Sequence, residues 1–215
     1  LVASKDNSIF ANNVDNSNGG GAGIFSGTNG LGTSCRGLIE FDIAANVPAG
    51  STITGVQLRM YLGMSPNTNA QNIELHRLTK DWGEGTAGSS NPIIMMSGMG
   101  YPADAGDATW NEAKFGSTAW SSPGATGNFN QTVSATTTVS GPIDTAFLWN
   151  STSAMIGDVQ NWLDSTGSNY GWALINADEV TSRTKKVFYS RQATQNSSAI
   201  PDSLDPSWRP TLIID

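Results

Sequence analysis

Few residues in this sequence could take part in catalysis. His76 is the single histidine, and it lies in an alternating apolar and polar run that predicts a strand. Two pairs of nearby carboxylates, Asp81 with Glu84 and Asp104 with Asp107, have the side chains that glycoside hydrolysis needs. Turn and capping roles also explain both pairs, and no GxSxG, HExxH or CxxC motif lies near the histidine. We therefore predict that the chain is not an enzyme, with a polysaccharide-active enzyme as the least favoured alternative.

The same acidic residues could bind a metal ion. Asp104 and Asp107 lie in a glycine-rich loop whose carboxylates could bind Ca²⁺, and Asp202 and Asp205 form a second pair between two prolines. The DxDxDG spacing of a calcium loop is missing at both places, which favours plain loop acids. We predict no cofactor, and a structural Ca²⁺ at Asp104 and Asp107 stays the alternative.

Composition limits the partners and the location. The chain has 215 residues, with 11 basic and 18 acidic side chains, a formal net charge of −7 and only 13% charged residues. Nucleic acids and anionic membranes attract cationic surfaces, so this balance argues against both partners. No run of about 18 apolar residues is present, so we expect no membrane insertion. A surface of Ser, Thr, Asn and Gly is typical of exported proteins, and we predict an extracellular or cell-surface location after signal-peptide removal.

The elements that must position these residues are short strands. In the run 56–62, apolar residues at the even positions alternate with Gln57, Arg59 and Tyr61, which predicts a strand with one buried face. Similar runs lie at 38–43, 73–76, 172–175, 187–190 and 211–214, and clusters of Gly, Asn, Ser and Pro separate them. An apolar stripe predicts one helix over about 153–164, with Ser153 as its N-cap. We predict an all-β antiparallel sandwich or jelly roll, forming one domain over 1–215.

Cys35 is the single cysteine, so no disulfide can form within the chain. We expect this thiol to be a small buried apolar group.

Short motifs along nearly the whole chain occur in a characteristic joint order. They are RGLIEFD at 36–42, VPAGSTI at 47–53, HRL at 76–78, DWGEG at 81–85, GDATW at 106–110 followed by Trp120, NYGW at 169–172, YSR at 189–191 and RPTL at 209–212. In this order they resemble the DNRLRE-type domain of exported bacterial and archaeal proteins, which is related to alginate-binding carbohydrate-binding modules. The resemblance implies a jelly-roll fold, and a function among glycan-binding modules and surface proteins.

The resemblance also implies a glycan site. The alginate-binding relatives use a cationic groove, and Arg36, Tyr189 and Arg191 occupy positions that look like part of it, with Arg183 and Lys185 on the preceding turn. Gly27 and Leu31 stand where further basic residues would help, and the net charge of −7 disfavours a polyuronate, so a neutral glycan is at least as well supported. The alternative is that Arg36 and Arg191 are structural, and pair with Glu40, Asp42 or backbone carbonyls.

Three tryptophans in loop-rich sequence are candidate platforms for sugar rings, because sugars stack on exposed aromatic faces. They are Trp82, Trp110 and Trp120.

Self-assembly is the other hypothesis. A charge-poor chain rich in Ser, Thr, Asn and Gly could polymerise by adding the strand around Ser8–Phe10 to the sheet edge of a neighbour. The apolar run 93–96 is either a sticky surface or a buried plug. Asn130, Asn150 and Asn196 begin N-glycosylation sequons, which matter only if the source glycosylates its surface proteins.

Two functions therefore stay open at this point. We predict a non-catalytic extracellular surface or matrix protein that acts by binding, with copies of itself in a filament or with a glycan as the partner. The alternative is a monomeric carbohydrate-binding module of a polysaccharide-degrading system.

Overall fold

The computed structural model describes residues 1–90, 98–193 and 206–215. Their secondary structure is mostly antiparallel β-strand, which confirms the predicted all-β class. The strands are β1 (Lys5–Phe10), β2 (Asn16–Ser17), β3 (Gly23–Thr28), β4 (Ser34–Glu40), β5 (Val56–Met64), β6 (Gln71–Leu78), β7 (Tyr101–Pro102), β8 (Glu112–Lys114), β9 (Thr118–Ala119), β10 (Phe129–Val139), β11 (Thr145–Trp149), β12 (Trp172–Asn176), β13 (Lys186–Tyr189) and β14 (Thr211–Ile214), and the helix is α1 (Ser153–Asp164).

The longer strands form one sheet that curls into two layers. Hydrogen-bonded neighbours run β10-β6-β12-β4-β3-β13-β5-β11, with β1 beside β4 and β14 beside β5. Strand β3 makes the corner, since residues 23–26 pair with β13 while Gly27 and Thr28 pair with β4. Gly27 has a φ of +111°, and a Cβ there would lie 2.9 Å from the backbone oxygen of Thr184, so the corner needs glycine. We call β10, β6, β12, β4 and β1 the first layer, and β11, β5, β14 and β13 the second layer.

The core lies between the layers. On β5 the residues at 58, 60 and 62 are fully buried and those at 57, 59 and 61 are partly exposed, as the alternation predicts. The buried residues pack in one cluster with Leu75 of β6 and Leu174 of β12. Burial of this apolar surface, at about 25 cal/mol per Å², is the main force that holds the layers together.

Helix α1 spans the residues that the apolar stripe predicts. The predicted N-cap is wrong, because Thr152 rather than Ser153 accepts the hydrogen bond from the Met155 amide, at 3.0 Å. Ser153 already belongs to the helix, and an N-cap side chain must precede the first helical residue. The helix contacts β10 of the first layer and β5 of the second, so it covers one end of the sandwich.

The chain between β6 and β10 covers the outer face of the first layer. We call its described residues, 79–90 and 98–128, the covering segment. Trp82 and Trp120 are buried there, and they pack in a second apolar cluster with Leu38 of β4 and Ala173 of β12. Each indole N–H donates to a backbone oxygen at 2.9 Å, which satisfies the polar atom that burial would otherwise leave unpaired. The first layer therefore has apolar clusters on both of its faces.

The N-terminal segment belongs to the sheet of its own chain. Strand β1 pairs antiparallel with β4, from Lys5 opposite Glu40 to Phe10 opposite Cys35. The strand around Ser8–Phe10 is therefore paired along one edge with the sheet of its own chain, and its addition to the sheet of a neighbour stays a prediction. Cys35 is buried, as predicted, and burial raises the pKa of its thiol to about 12.

Some predictions concern residues outside the described ranges. These are the apolar run 93–96, the sequon at Asn196, and Asp202 and Asp205. Within the described ranges, no helix has the length and apolar character needed to cross a bilayer.

Candidate functional site

Arg36 extends from β4 beneath the covering segment. Its guanidinium makes a bidentate pair with Glu179, with Nε 2.9 Å from Oε1 and Nη2 2.5 Å from Oε2. Nη1 donates to the Gly124 carbonyl oxygen at 2.6 Å, and the group lies 5.3 Å from the centroid of the Trp110 ring. The side chain is only 13% exposed. The guanidinium N–H groups that could bind an acidic sugar are therefore already hydrogen-bonded within the chain. Their acidic partner is Glu179, and not Glu40 or Asp42.

Arg191 is held in a second cluster of carboxylates beside β1. Its Nε donates to Glu84 Oε1 at 2.5 Å, and its Nη2 also pairs with Glu84. Its backbone N–H donates to Asp6 Oδ2 at 2.8 Å. Asp6 is fully buried, its Oδ1 has no hydrogen-bond partner in the described part of the chain, and burial raises its pKa to about 8. The guanidinium therefore neutralises Glu84, while burial keeps Asp6 protonated near neutral pH.

Tyr189 lies in the second layer. Its hydroxyl donates to Asp144 Oδ1 at 2.8 Å, and burial raises the pKa of the phenol. The described structure gives Arg36, Tyr189 and Arg191 no hydrogen-bond or ring partner in common. The groove that the resemblance implies for these three side chains is not formed by their contacts.

Two lysines at the start of β13 are buried. Lys185 directly precedes the strand, and Lys186 is its first residue. Lys185 is buried, and desolvation lowers its pKa. Lys186 is also buried, and its Nζ donates to Ser65 Oγ at 2.9 Å and to the Asn69 carbonyl oxygen at 2.8 Å. A fixed ammonium thus holds the β5–β6 connection in place. Arg183, by contrast, is exposed on the β12–β13 connection and makes no ion pair within the described ranges.

Two of the three candidate sugar platforms are buried. Trp82 and Trp120 lie beneath the covering segment, so neither ring offers a face to solvent. Trp110 is partly exposed, and the Arg36 guanidinium lies over its ring. The loop-rich sequence around these tryptophans indicated that they are exposed. Instead, the loops of the covering segment fold onto the first layer, and their tryptophan rings make the apolar contacts with it.

Asp104 and Asp107 hydrogen-bond to the loop in which they lie. Asp107 is buried, and its Oδ2 accepts the Asp104 amide at 3.1 Å, while Asp104 Oδ2 accepts the Thr86 hydroxyl at 3.1 Å. Burial raises the pKa of Asp107, although backbone N–H groups of Ala87 and Thr86 donate to it as well. Across residues 1–90, 98–193 and 206–215, no three His, Cys, Asp or Glu side chains are grouped to hold a metal ion.

The candidate catalytic residues are engaged in structural contacts. His76 Nδ1 lies 2.9 Å from the Asn130 carbonyl oxygen, and its Nε2 lies 3.2 Å from Glu74 Oε2. Asp81 pairs with Lys114 at 2.5 Å, and Glu84 pairs with the guanidinium of Arg191. Asp81 and Glu84 are thus each paired with a cation, which is how structural ion pairs are arranged.

Two of the three sequons lie in described residues. Asn130 is partly buried in β10, whereas Asn150 is exposed and its Oδ1 accepts the Gln57 amide at 2.7 Å.

A surface that the sequence analysis did not single out lies on the outer side of the second layer. Arg59 and Tyr61 of β5 face outward there. Leu148 of β11 lies opposite Arg59 and is 38% exposed, and Ile213 of β14 is 41% exposed. The Trp208 ring stacks on Tyr61, with ring centroids 5.5 Å apart and an angle of 14° between the planes. We call these five residues the open face.

Among the residues that the structure describes, the cation of the open face has no neutralising acid. The Arg59 guanidinium lies 5.8 Å from the Tyr61 ring centroid, and within the described ranges its hydrogen bond is to the Ser207 carbonyl oxygen, at 3.5 Å. No Lys, Asp or Glu occurs at the outward positions 57, 59 and 61 of β5, 146 and 148 of β11, and 211 and 213 of β14. The signal for this surface was present in the alternation of β5, whose outward positions carry a large aromatic and an arginine.

Comparison by sequence finds neither a family model nor a curated protein that matches the chain. The resemblance to the DNRLRE-type domain therefore stays a prediction.

Proposed function

We propose that the protein is an exported, non-catalytic surface or matrix protein that acts by associating with copies of itself. The open face is the observation that carries this proposal. It combines exposed Leu148 and Ile213 with the stacked side chains of Arg59, Tyr61 and Trp208.

The composition of the open face is that of an interface core. Tyr, Trp and Arg are enriched at protein interfaces, and Lys, Asp and Glu are depleted there. In the first layer, the large aromatic and arginine side chains are used inside the molecule. On the open face the same residue types remain partly accessible, although Tyr61 and Trp208 also pack against an apolar cluster that includes Tyr189.

Charge indicates how copies would meet. Two open faces brought together across a two-fold axis would bring two Arg59 guanidinium groups towards each other, which like charges disfavour. The rest of the chain is acidic, since the formal net charge is −7. We therefore expect the open face to bind a different, acidic surface of the next copy.

Glycan adhesion is the second candidate, and the Arg59–Tyr61–Trp208 stack favours it. Aromatic rings and planar guanidinium groups are the side chains on which sugars bind. In that case the protein would be a monomeric carbohydrate-binding module, and the open face rather than Arg36, Tyr189 and Arg191 would hold the sugar.

The test measures particle size across protein concentration by light scattering and electron microscopy. We expect the wild type to form large assemblies, and Leu148→Asp to raise the concentration needed by about tenfold or more, since a charge in an apolar contact is costly. Ala119→Asp, at an exposed position of the covering segment, is the matched control and should assemble like the wild type. Dispersed monomers at every concentration would reject self-association, and binding by those monomers on a glycan array would establish the second candidate.

A further inference from the structure

A single carboxylate joins three separate parts of the chain at the edge of the first layer. The Oε1 atom of Glu84, in the covering segment, accepts the backbone amide of Asp6 in β1 at 2.9 Å. The same atom accepts Nε of Arg191 at 2.5 Å and the side-chain amide of Gln192 at 2.9 Å, and both of these residues follow β13. We call these four residues the latch. Glu84 is thus a point at which the covering segment is fastened to the sheet.

The carboxyl group of Asp6 is buried within the latch. The residue has no exposed surface, and its Oδ2 atom accepts the Arg191 backbone amide at 2.8 Å. The other oxygen, Oδ1, has no hydrogen-bond partner among the described residues. A charge placed on this group would have neither water nor a full set of donors around it, so burial favours the protonated acid. Burial accordingly raises the pKa of Asp6 to about 8.

Two charged groups face Asp6, and they act in opposite directions. Glu84 disfavours a second negative charge, whereas Arg191 favours it. The guanidinium of Arg191 is already paired with Glu84, however, so one cation would have to neutralise two carboxylates if Asp6 ionised. The strands packed against β1 bring no further charge to this point, since Asp6 lies opposite Ile39 of β4, and β2 and β3 contain no Asp, Glu, Lys or Arg.

The other titratable groups at this edge either are paired or belong to the covering segment. Lys5 lies 3.0 Å from Glu40 and 3.2 Å from Asp81. Burial also raises the pKa of Asp107, but the backbone groups that donate to Asp107 belong to the covering segment, so they would move with it. Asp6 differs, because its own carboxyl belongs to the sheet while its acidic neighbour belongs to the covering segment.

We propose that the covering segment is a pH-sensitive flap, which the latch holds against the first layer while Asp6 is protonated and which lifts more often as the pH rises. Lifting removes Glu84 from the Asp6 amide and admits water to the Asp6 carboxyl, which can then ionise. It also opens the apolar cluster that Trp82 forms with Leu38 and Ala173. This inference goes beyond the proposed function, since it concerns a change within one copy.

Proton linkage gives the sign and the size of the effect. With the covering segment closed, the pKa of Asp6 is about 8, and in water it returns to the ordinary value of 3.8. Lifting therefore releases a proton between these two pH values, and the equilibrium constant for lifting rises by at most about tenfold per pH unit. Outside this range both states carry the same number of protons, so the constant levels off.

Amide hydrogen exchange measures lifting in the native chain, in dilute solution from pH 5 to 9. After correction for the intrinsic exchange rate, residues 79–90 should be less protected than β5 by about tenfold or more, because lifting is a local opening. Their protection should depend little on low concentrations of urea, since little surface is exposed, and it should fall with rising pH up to about pH 8. Protection equal to that of β5 at every pH would mean that only global unfolding occurs, and it would overturn the proposal.

The first variant, Asp6→Asn, removes the titrating group while keeping a similar shape. The protection of residues 79–90 should then no longer depend on pH. Asp178→Asn is the matched control, because backbone hydrogen bonds lower the pKa of Asp178 and it stays ionised throughout this pH range. That control should respond to pH like the wild type. A wild-type pH response in Asp6→Asn would show that Asp6 does not control lifting.

The second variant, Glu84→Gln, keeps the test sharp even if Asp6→Asn folds poorly. It frees the Arg191 guanidinium to neutralise Asp6, so the pKa of Asp6 should fall and the pH response of residues 79–90 should weaken. Their protection at pH 5 should also fall, since the latch loses its charged acceptor. An unchanged pH response in this variant would contradict the proposal. Self-association is unaffected by either result, because exchange is measured on dispersed copies.

Discussion

The two layers of the sandwich have similar inner faces, and their outer faces differ in how far their apolar and charged side chains are covered. Outside the first layer, the covering segment buries Trp82 and Trp120, and the guanidinium of Arg36 is fully paired. Outside the second layer, Trp208 and Arg59 are partly exposed; Trp208 packs against an apolar cluster that includes Tyr189, and the arginine has no acidic partner within the described ranges. The same residue types therefore serve stability on one side and are available for binding on the other. The residue type alone does not tell a stabilising side chain from one available for binding, whereas the contacts of that side chain within the molecule do.

The largest expected difference between the faces concerns their tryptophans. Trp82→Ala should lower the free energy of unfolding by about 3–5 kcal/mol, because it leaves a cavity beneath the covering segment. Trp208→Ala should cost less, about 1–2 kcal/mol, since its ring packs on Tyr61 and Tyr189 but is partly exposed. Urea unfolding of both variants in dilute solution measures the two values. Equal losses would show that the open face is as much part of the monomer's stability as the covered one.

The arginines give the next comparison. Arg36→Met should cost about 2–3 kcal/mol, because Glu179 and the Gly124 carbonyl oxygen lose their charged donor while the covering segment stays in place. Arg59→Met should stay within about 0.5 kcal/mol of the wild type, the usual range for surface positions. The same urea experiment checks both substitutions. A loss at Arg59 as large as that at Arg36 would remove the contrast on which the proposed function depends.

Much of the fold could be predicted from the sequence, but the partners of the site residues could not. Alternation located β5 and β14, and the apolar stripe located α1, because local periodicity records which face is buried. Strand β10 was missed, since its Ser- and Thr-rich residues 134–138 have no apolar alternation. Arg36 was placed on a strand, but its partner Glu179 lies 143 residues away, and no local pattern encodes that distance.

The tryptophans show the same limit. A loop-rich sequence around Trp82 and Trp120 gives the expectation of exposure, because most loops run over the surface. Here the loops fold back on the sheet and bury their own aromatic residues. Only the tertiary structure separates a platform from a cover.

The last expected contrast is at most about 1.4 kcal/mol for one pH unit, and it arises at the edge of the covered layer, where Asp6 is buried under Glu84 and Arg191. Burial raises the pKa of Asp6 to about 8 from an ordinary value of 3.8, so between these values the folded chain holds a proton that the unfolded chain releases. Stability contributed by this proton is complete below pH 4 and is lost as the pH rises towards 8, with a slope of at most about 1.4 kcal/mol per pH unit. Asp6→Asn should remove this slope, so the stability of the variant should rise relative to that of the wild type with each step from pH 5 to 8 in urea unfolding.

Asp178→Asn is the control of opposite sign. Backbone hydrogen bonds lower the pKa of that exposed carboxyl, so its contribution to stability is lost only as the pH falls in the acid range. Parallel pH profiles for wild type and Asp6→Asn would mean that Arg191 holds Asp6 ionised, and the cluster would then be an ordinary ion-pair network.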